Sequence, residues 1–430
     1  MMPSEVEVLV VGAGQAGIAI SEHLGAQGIT HLVLERDRIA ERWRTWRWDS
    51  LVANGPAWHD RFPGMAFAGD PDSFATKDDV ADYFAAYAQH IDAPIRTGVE
   101  VTSVRKRQGA EGFDVITSDG PLIARYVVSA TGAFQKPVIP AVIPAAAPVH
   151  QIHSSDYHNP GELPTGAVLV VGAGSSGVQI ADELRSSGRD VYLAVGPHDR
   201  PPRSYRGRDF CWWLGVLGKW DAAAPPAGAD HVTIAVSGAR GGHTVDFRDL
   251  AAKGITLLGR AETFTEGSIS FAADLAANIA GGDASYLSML AEADEYVVRN
   301  GLDLPPEPAA HILGPDPDCV RNPIRELDLA TAGITSVVWA TGFAYDYEWL
   351  QVDAFDANGR PRHQRGVSAE PGIYFLGLPW LSRRGSSFIW GVWHDAKYVA
   401  DQIAIQRGYA GYRPSAAAGL VDSSAPEPVF

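Results

Sequence analysis

The sequence predicts an α/β protein with two Rossmann-like dinucleotide-binding domains, and three observations carry that reading. A glycine fingerprint, Gly12-Ala13-Gly14-Gln15-Ala16-Gly17, recurs 160 residues later as Gly172-Ala173-Gly174-Ser175-Ser176-Gly177. Each copy follows an apolar run, Val8–Val11 or Val168–Val171. Each then opens a stretch with helical spacing, carried by Ile18 and Leu24 or by Val178, Ile180 and Leu184. Strand, glycine turn and helix in that order turn a weak G-x-G-x-x-G match into a dinucleotide site. The glycines permit a tight turn and close backbone approach, which seats a pyrophosphate on the free N–H groups of a helix N-terminus. Two such units in one chain imply two dinucleotides held together for electron transfer.

The copies differ where the cofactor is read. In the first, the strand His31–Leu34 ends in Glu35, 18 positions after Gly17. An acid there accepts hydrogen bonds from ribose hydroxyls and repels a 2′-phosphate, which suits FAD or NAD. In the second copy the equivalent residue is Val195, followed by His198, Arg200 and Arg203. The missing acid and the nearby cations predict NADPH, with Arg200 or Arg203 as the phosphate clamp. If those arginines are solvated loop charges instead, NADH use stays open.

The elements follow in order. Residues 1–160 read as the first part of an FAD-binding domain, 161–340 as an NADPH-binding domain with insertions, and 341–412 as the return of the first domain. After the first unit comes a Trp-dense segment, Glu41 to Trp48, containing Trp43. Lys77–Ala88 has helical spacing (Val80, Tyr83, Phe84, Tyr87). Val99–Val104 (with Val101), Phe113–Thr117 and Leu122–Val128 alternate as an antiparallel meander that leads into Ala130-Thr131-Gly132. Residues 133–149 read as a linker, and the second unit begins near Gly166. Residues 205–254 interrupt it with the apolar run Phe210–Leu217, which suits a pocket wall, a dimer contact, a membrane-surface anchor or buried packing. A helix is expected over Tyr286–Arg299, then a Pro-rich stretch to Pro317. The strand Ser336–Trp339 ends in Ala340-Thr341-Gly342, a second Ala-Thr-Gly. Tyr374–Gly377 reads as a last strand and Phe388–Gln406 as a closing helix, before an Ala-, Ser- and Pro-rich tail, 413–430, expected to be disordered.

Composition excludes several classes. A net charge of −16 argues against a nucleic-acid partner, which needs a clustered basic face. The two cysteines, Cys211 and Cys319, form no C-x-x-C, so neither a redox dithiol nor a zinc site is expected, and no metal is predicted. The first strand is reached by Val6, leaving no room for a signal peptide. No apolar run approaches the roughly 18 residues of a membrane span. A cytoplasmic enzyme is expected; its oligomeric state is open, with a homodimer among the options.

These residues resemble the class B flavoprotein monooxygenases, the group of flavin-containing, N-hydroxylating and Baeyer–Villiger enzymes. The likeness runs to about residue 410 and rests on both fingerprints, both Ala-Thr-Gly turns and the Trp43 segment. It implies a glutathione-reductase-like arrangement of the two domains. The group's linker motif, F-x-G-x-x-x-H-x-x-x-[FYW], is half present: His153 and Tyr157 match, while Ala147 and Val149 stand at the Phe and Gly positions.

Leu51-Val52-Ala53-Asn54-Gly55-Pro56 resembles the segment whose Asn sits beside the reactive flavin carbon, which makes Asn54 the catalytic candidate. The alternative reading of Asn54 is a turn residue before Gly55-Pro56. The resemblance implies that NADPH reduces the flavin and that dioxygen adds to it as a C4a-(hydro)peroxyflavin. One oxygen atom then passes to a small organic substrate, with N- or S-oxygenation favoured. The alternative is Baeyer–Villiger oxidation of a ketone or imine, for which Arg206 and Arg383 are candidate cations. An NADPH oxidase or a non-catalytic redox sensor are further alternatives; a disulfide reductase lacks its dithiol here.

Overall fold

In the computed structural model, which describes residues 3–223, 225 and 234–412, the two fingerprints head two separate sheets. Glu5–Val11 lies at the centre of the first, with Val8, Leu9 and Val10 fully buried because both faces are covered. It pairs in parallel with His31–Leu34 on one side and Gly120–Ser129 on the other. The latter strand is ten residues long, and its length lets it serve two neighbours on one edge. Its first half pairs antiparallel with Phe113–Thr117, which pairs with Val101–Lys106 as the expected meander. Its second half pairs in parallel with Ile373–Phe375, so the returning chain enters the same sheet. The closing helix, Ile389–Gly411, then lies against the first fingerprint helix, where the Gln27 amide donates to Asp401 at 2.8 Å.

The second sheet is five parallel strands in the order Ile255–Leu258, Val191–Ala194, Ala167–Val171, Ile334–Trp339, His150–His153. The last of these lies inside the stretch 1–160 that the sequence reading gave to the first domain. With the polar run His-Gln-Ile-His at a sheet edge, it carries no apolar pattern to announce itself. The expected linker also holds structure: Lys136–Pro137 pairs antiparallel with Phe343–Ala344, tying together the segments that follow the two Ala-Thr-Gly turns.

The helix expected over Tyr286–Arg299 begins at Leu275 and runs to Asn300. Gly281 and Gly282 hid its first three turns, since each costs about 1 kcal/mol of helix propensity relative to Ala. Gly282 has its own reason: a Cβ there would lie 2.5 Å from the ring nitrogen Nε2 of His198. The helix expected over Lys77–Ala88 forms and runs two residues further, to His90, with a reciprocal cap between Thr76 and Asp79 at its start. Of the four readings for the apolar run at 210–217, packing is what the structure shows. Phe210, Cys211, Trp213 and Leu214 are buried against Met289, Leu290 and Ala293. Among the described residues no helix is long and apolar enough to cross a membrane. The tail 413–430 lies outside the described residues.

Candidate functional site

Both fingerprints open into one cleft of about 1390 Å³. Gly12 has φ +105° and Gly172 φ +118°, a backbone that side chains rarely adopt. A Cβ on Gly12 would come 2.8 Å from the carbonyl oxygen of Ala130, and one on Gly172 would strike that of Ala340. The two Ala-Thr-Gly turns therefore sit directly under the two glycine turns, which explains why the signature occurs twice. Gly14 and Gly174 begin their helices without a side-chain cap, leaving first-turn N–H groups for an anion. Gln15, Ala16, Ser175, Ser176, Thr131, Gly132, Thr341 and Gly342 all line the cleft. Gly17 and Gly177 do not; a Cβ on each would run into the carbonyl oxygen of Gly12 or Gly172, so they let each helix start beneath its own turn.

Asn54 is held on the wall by both bodies. Its backbone follows a short ladder in which the Ala53 N–H donates to Ala75 at 2.7 Å. Its carbonyl accepts from Arg203 at 2.6 Å, and its Oδ1 accepts from Gln179 at 2.9 Å. Asp60 lies on the same wall, accepting from the Gly55 N–H at 3.0 Å and in contact with His59 at 2.7 Å. Behind it, Trp58, Trp220 and Trp390 surround the His59 ring with centroids 5.4 Å away. Neither candidate cation of the Baeyer–Villiger reading lines the cleft: Arg206 pairs with Asp294 at 2.7 Å, and Arg383, over the Trp390 ring, pairs with Asp221 at 2.6 Å. His153 is spent on structure, its ring bridging Ser155 and the Gly342 carbonyl at 2.9 and 3.0 Å, and burial holds its pKa below the usual value. Tyr157 donates to Glu183 at 2.7 Å.

A model of the family described as "Pyridine nucleotide-disulphide oxidoreductase" matches residues 9–206. A CzcO-like uncharacterised oxidoreductase of Geobacillus kaustophilus is 36% identical over 402 residues, 93% of this chain and 98% of that one. An indole-3-pyruvate monooxygenase of Arabidopsis thaliana, YUCCA6, is 31% identical over 44% of this chain and 47% of its own. The solved flavin-containing monooxygenase of Stenotrophomonas maltophilia shares the fold with a TM-score of 0.64 at 19% identity, over 94% of this chain and all of that one. The chain belongs to the CzcO-like oxidoreductases. Its fold and its paired fingerprints are those of the class B flavoprotein monooxygenases. It is therefore an enzyme whose cofactors are FAD and NADPH.

The residues present fit both groups. For FAD, the cradle around Gly12 admits no Cβ, and Glu35 lines the cleft with its Oε2 accepting from the Ala13 N–H at 2.8 Å. Trp43 and Val101 stand on the same wall. Arg42 and Arg47, both from the Trp-dense segment, also line it. Burial pushes each guanidinium down to about 10, still protonated at neutral pH. Arg47 has no carboxylate partner among the described residues, which leaves its charge for a cofactor phosphate.

For NADPH, the expected clamp is displaced. Arg200 is buried and forks onto Asp283 at 2.6 and 3.0 Å, over the Tyr286 ring. Arg203 is buried against Asp209 at 3.0 Å, and the His198 ring packs on Phe247 with centroids 4.2 Å apart. None of the three lines the cleft, nor are the arginines solvated loop charges. Asp283 arrives from the helix Leu275–Asn300, 83 positions on, whereas Asp209 follows Arg203 by six. The cation that does line the wall at this strand end is Arg260, just past Ile255–Leu258; it pairs with Asp274 at 2.5 Å but, unlike Arg200 and Arg203, remains exposed at the cleft. It crosses Gly196, where a Cβ would stand 3.5 Å from its Cγ. The signal was available: a neighbouring parallel strand ending in Gly259-Arg260 beside a strand that ends without an acid. We expect Arg260→Ala to raise the KM for NADPH about tenfold or more, the loss of one charge-assisted contact of about 1.5–3 kcal/mol, with the KM for NADH unchanged. Steady-state kinetics with both nucleotides checks this, and equal effects would remove Arg260 from phosphate recognition.

Proposed function

We propose that this enzyme spends NADPH and dioxygen to place one oxygen atom on a nitrogen or sulfur of a small apolar or aromatic molecule. Bound FAD and NADPH supply the two electrons and the oxygen activation; the chain supplies seats, orientation and exclusion of water. The first glycine turn, Glu35, Arg42 and Arg47 hold FAD. The second turn and Arg260 hold NADPH. The observation that carries the N- or S-oxygenation reading is the neutral amide of Asn54 at the corner between the two seats, with both candidate arginines paired to carboxylates and off the cleft lining. A neutral donor steadies a transferable oxygen without the fixed positive charge that a carbonyl-attacking anion requires. The aromatic shell of Trp58, Trp220, Trp390 and Phe388 behind that corner supports an apolar substrate. We place the enzyme in the cytoplasm, where NADPH is regenerated.

Asn54→Ala tests the role. The expected result is NADPH oxidation that continues while hydrogen peroxide released per NADPH rises about fivefold or more, in line with the loss of a hydrogen bond worth about 1 kcal/mol. Labelled oxygen recovered in amine or sulfide products falls in parallel. Ketones in the same panel form the Baeyer–Villiger arm. An unchanged peroxide ratio takes Asn54 out of the chemistry.

A further inference from the structure

We propose that Gln179 is a positioning residue: it fixes which end of the Asn54 amide meets the cleft, and so links that amide to the helix that seats NADPH. The proposal deepens the Asn54 reading above and rests on it.

Gln179 lies one turn into the second fingerprint helix, Ser175–Ser186, is buried, and was singled out by no motif. Its Nε2 donates to the carbonyl of Val236 at 2.8 Å and to Oδ1 of Asn54 at 2.9 Å. A backbone carbonyl can only accept, so Val236 decides which end of the Gln179 amide points its way. Both Nε2 hydrogens are then committed, and Asn54 must present its oxygen to them. The Asn54 Nδ2, with two hydrogens and no protein acceptor among the described residues, is left as the donor available to the cleft.

The rest of the geometry removes the alternatives. The Asn54 carbonyl is pinned by Arg203, itself locked on Asp209, so the backbone that carries the amide is held in place and the Gln179 contact alone selects the amide's orientation. The segment that carries Val236 is tied to the helix start, where the Ser175 hydroxyl donates to Ile234 at 2.7 Å. A three-member chain, Val236 to Gln179 to Asn54, thus crosses from the second body to the first. Any shift of the second fingerprint helix pulls on the amide that serves oxygen transfer.

Gln179→Leu removes the anchor. Gln179→Glu keeps its shape but offers only acceptors, so Asn54 must turn its Nδ2 away from the cleft to meet it. We expect either change to raise peroxide released per NADPH about fivefold with flavin content within about twofold of wild type, and the neutral Gln179→Leu to leave the Kd for NADP⁺ within the same range. In an Asn54→Ala background neither change has a further effect, because the path through Asn54 is already cut. A crystal structure of Gln179→Glu shows the Asn54 amide reversed. Effects that multiply in the double variants, or an Asn54 amide that keeps its orientation in Gln179→Glu, overturn the positioning role. If Asn54→Ala alone leaves the peroxide ratio unchanged, the reading beneath fails and takes this proposal with it.

Discussion

Glu35→Arg purifies colourless. The carboxylate accepts from the Ala13 N–H at 2.8 Å and from the Asp37 N–H at 3.0 Å, so it both holds the fingerprint loop and offers the acceptor that a ribose meets. Arginine removes both acceptors and sets a cation with only donors against a wall that already carries Arg36 and Arg42. A hydrogen bond to a charged group contributes about 1.5–3 kcal/mol, so losing the acceptor that meets the ribose lowers flavin affinity roughly 10–100-fold, and the loosened loop and added cation lower it further. The visible absorbance of the purified protein reads the result. A normal flavin complement in a folded variant would show that this acid does not hold the cofactor.

Gly177→Ala separates the two sites. Its Cβ would collide with the Gly172 carbonyl oxygen, and the Ala340 Cβ lies 3.4 Å away on the other side, so the helix start has no room to retreat. The second fingerprint must open, at a cost of about 1–3 kcal/mol for an overpacked contact. NADPH affinity then falls roughly 10–100-fold. The first fingerprint is untouched, so the variant stays yellow and dithionite still bleaches it, while NADPH does so slowly. Anaerobic reduction by each reagent makes the comparison. Equal bleaching by NADPH would mean that this helix start does not seat the nucleotide.

The parts of this fold that were legible in the sequence are those where backbone geometry restricts a residue locally. The glycines at 12, 17, 172 and 177 are demanded by contacts within a few residues or with a matching turn, so the pattern showed them. The meander was legible because Phe113–Thr117 buries alternate side chains between two further short apolar runs. Long-range partners were not legible. Arg200 looked free because Asp283 lies 83 positions away, and Arg203 looked free although Asp209 is only six positions on. Arg260 was passed over because it reaches the site from a different strand, and Gln179 because its function lies in two hydrogen bonds to distant segments. His150–His153 escaped notice as a polar edge strand that takes its order from Trp339 beside it.

The central claim is that the cleft holds activated oxygen long enough to transfer it. The most direct test reduces the enzyme with NADPH under argon, mixes it with oxygenated buffer, and follows oxygen uptake and the visible band of oxidised flavin together. The account predicts that oxygen is consumed first, that the band returns after a clear lag, and that an added amine or sulfide shortens the lag and suppresses peroxide. Oxygen uptake, band return and peroxide release that proceed in step, with no response to any amine or sulfide, would contradict it and leave an NADPH oxidase.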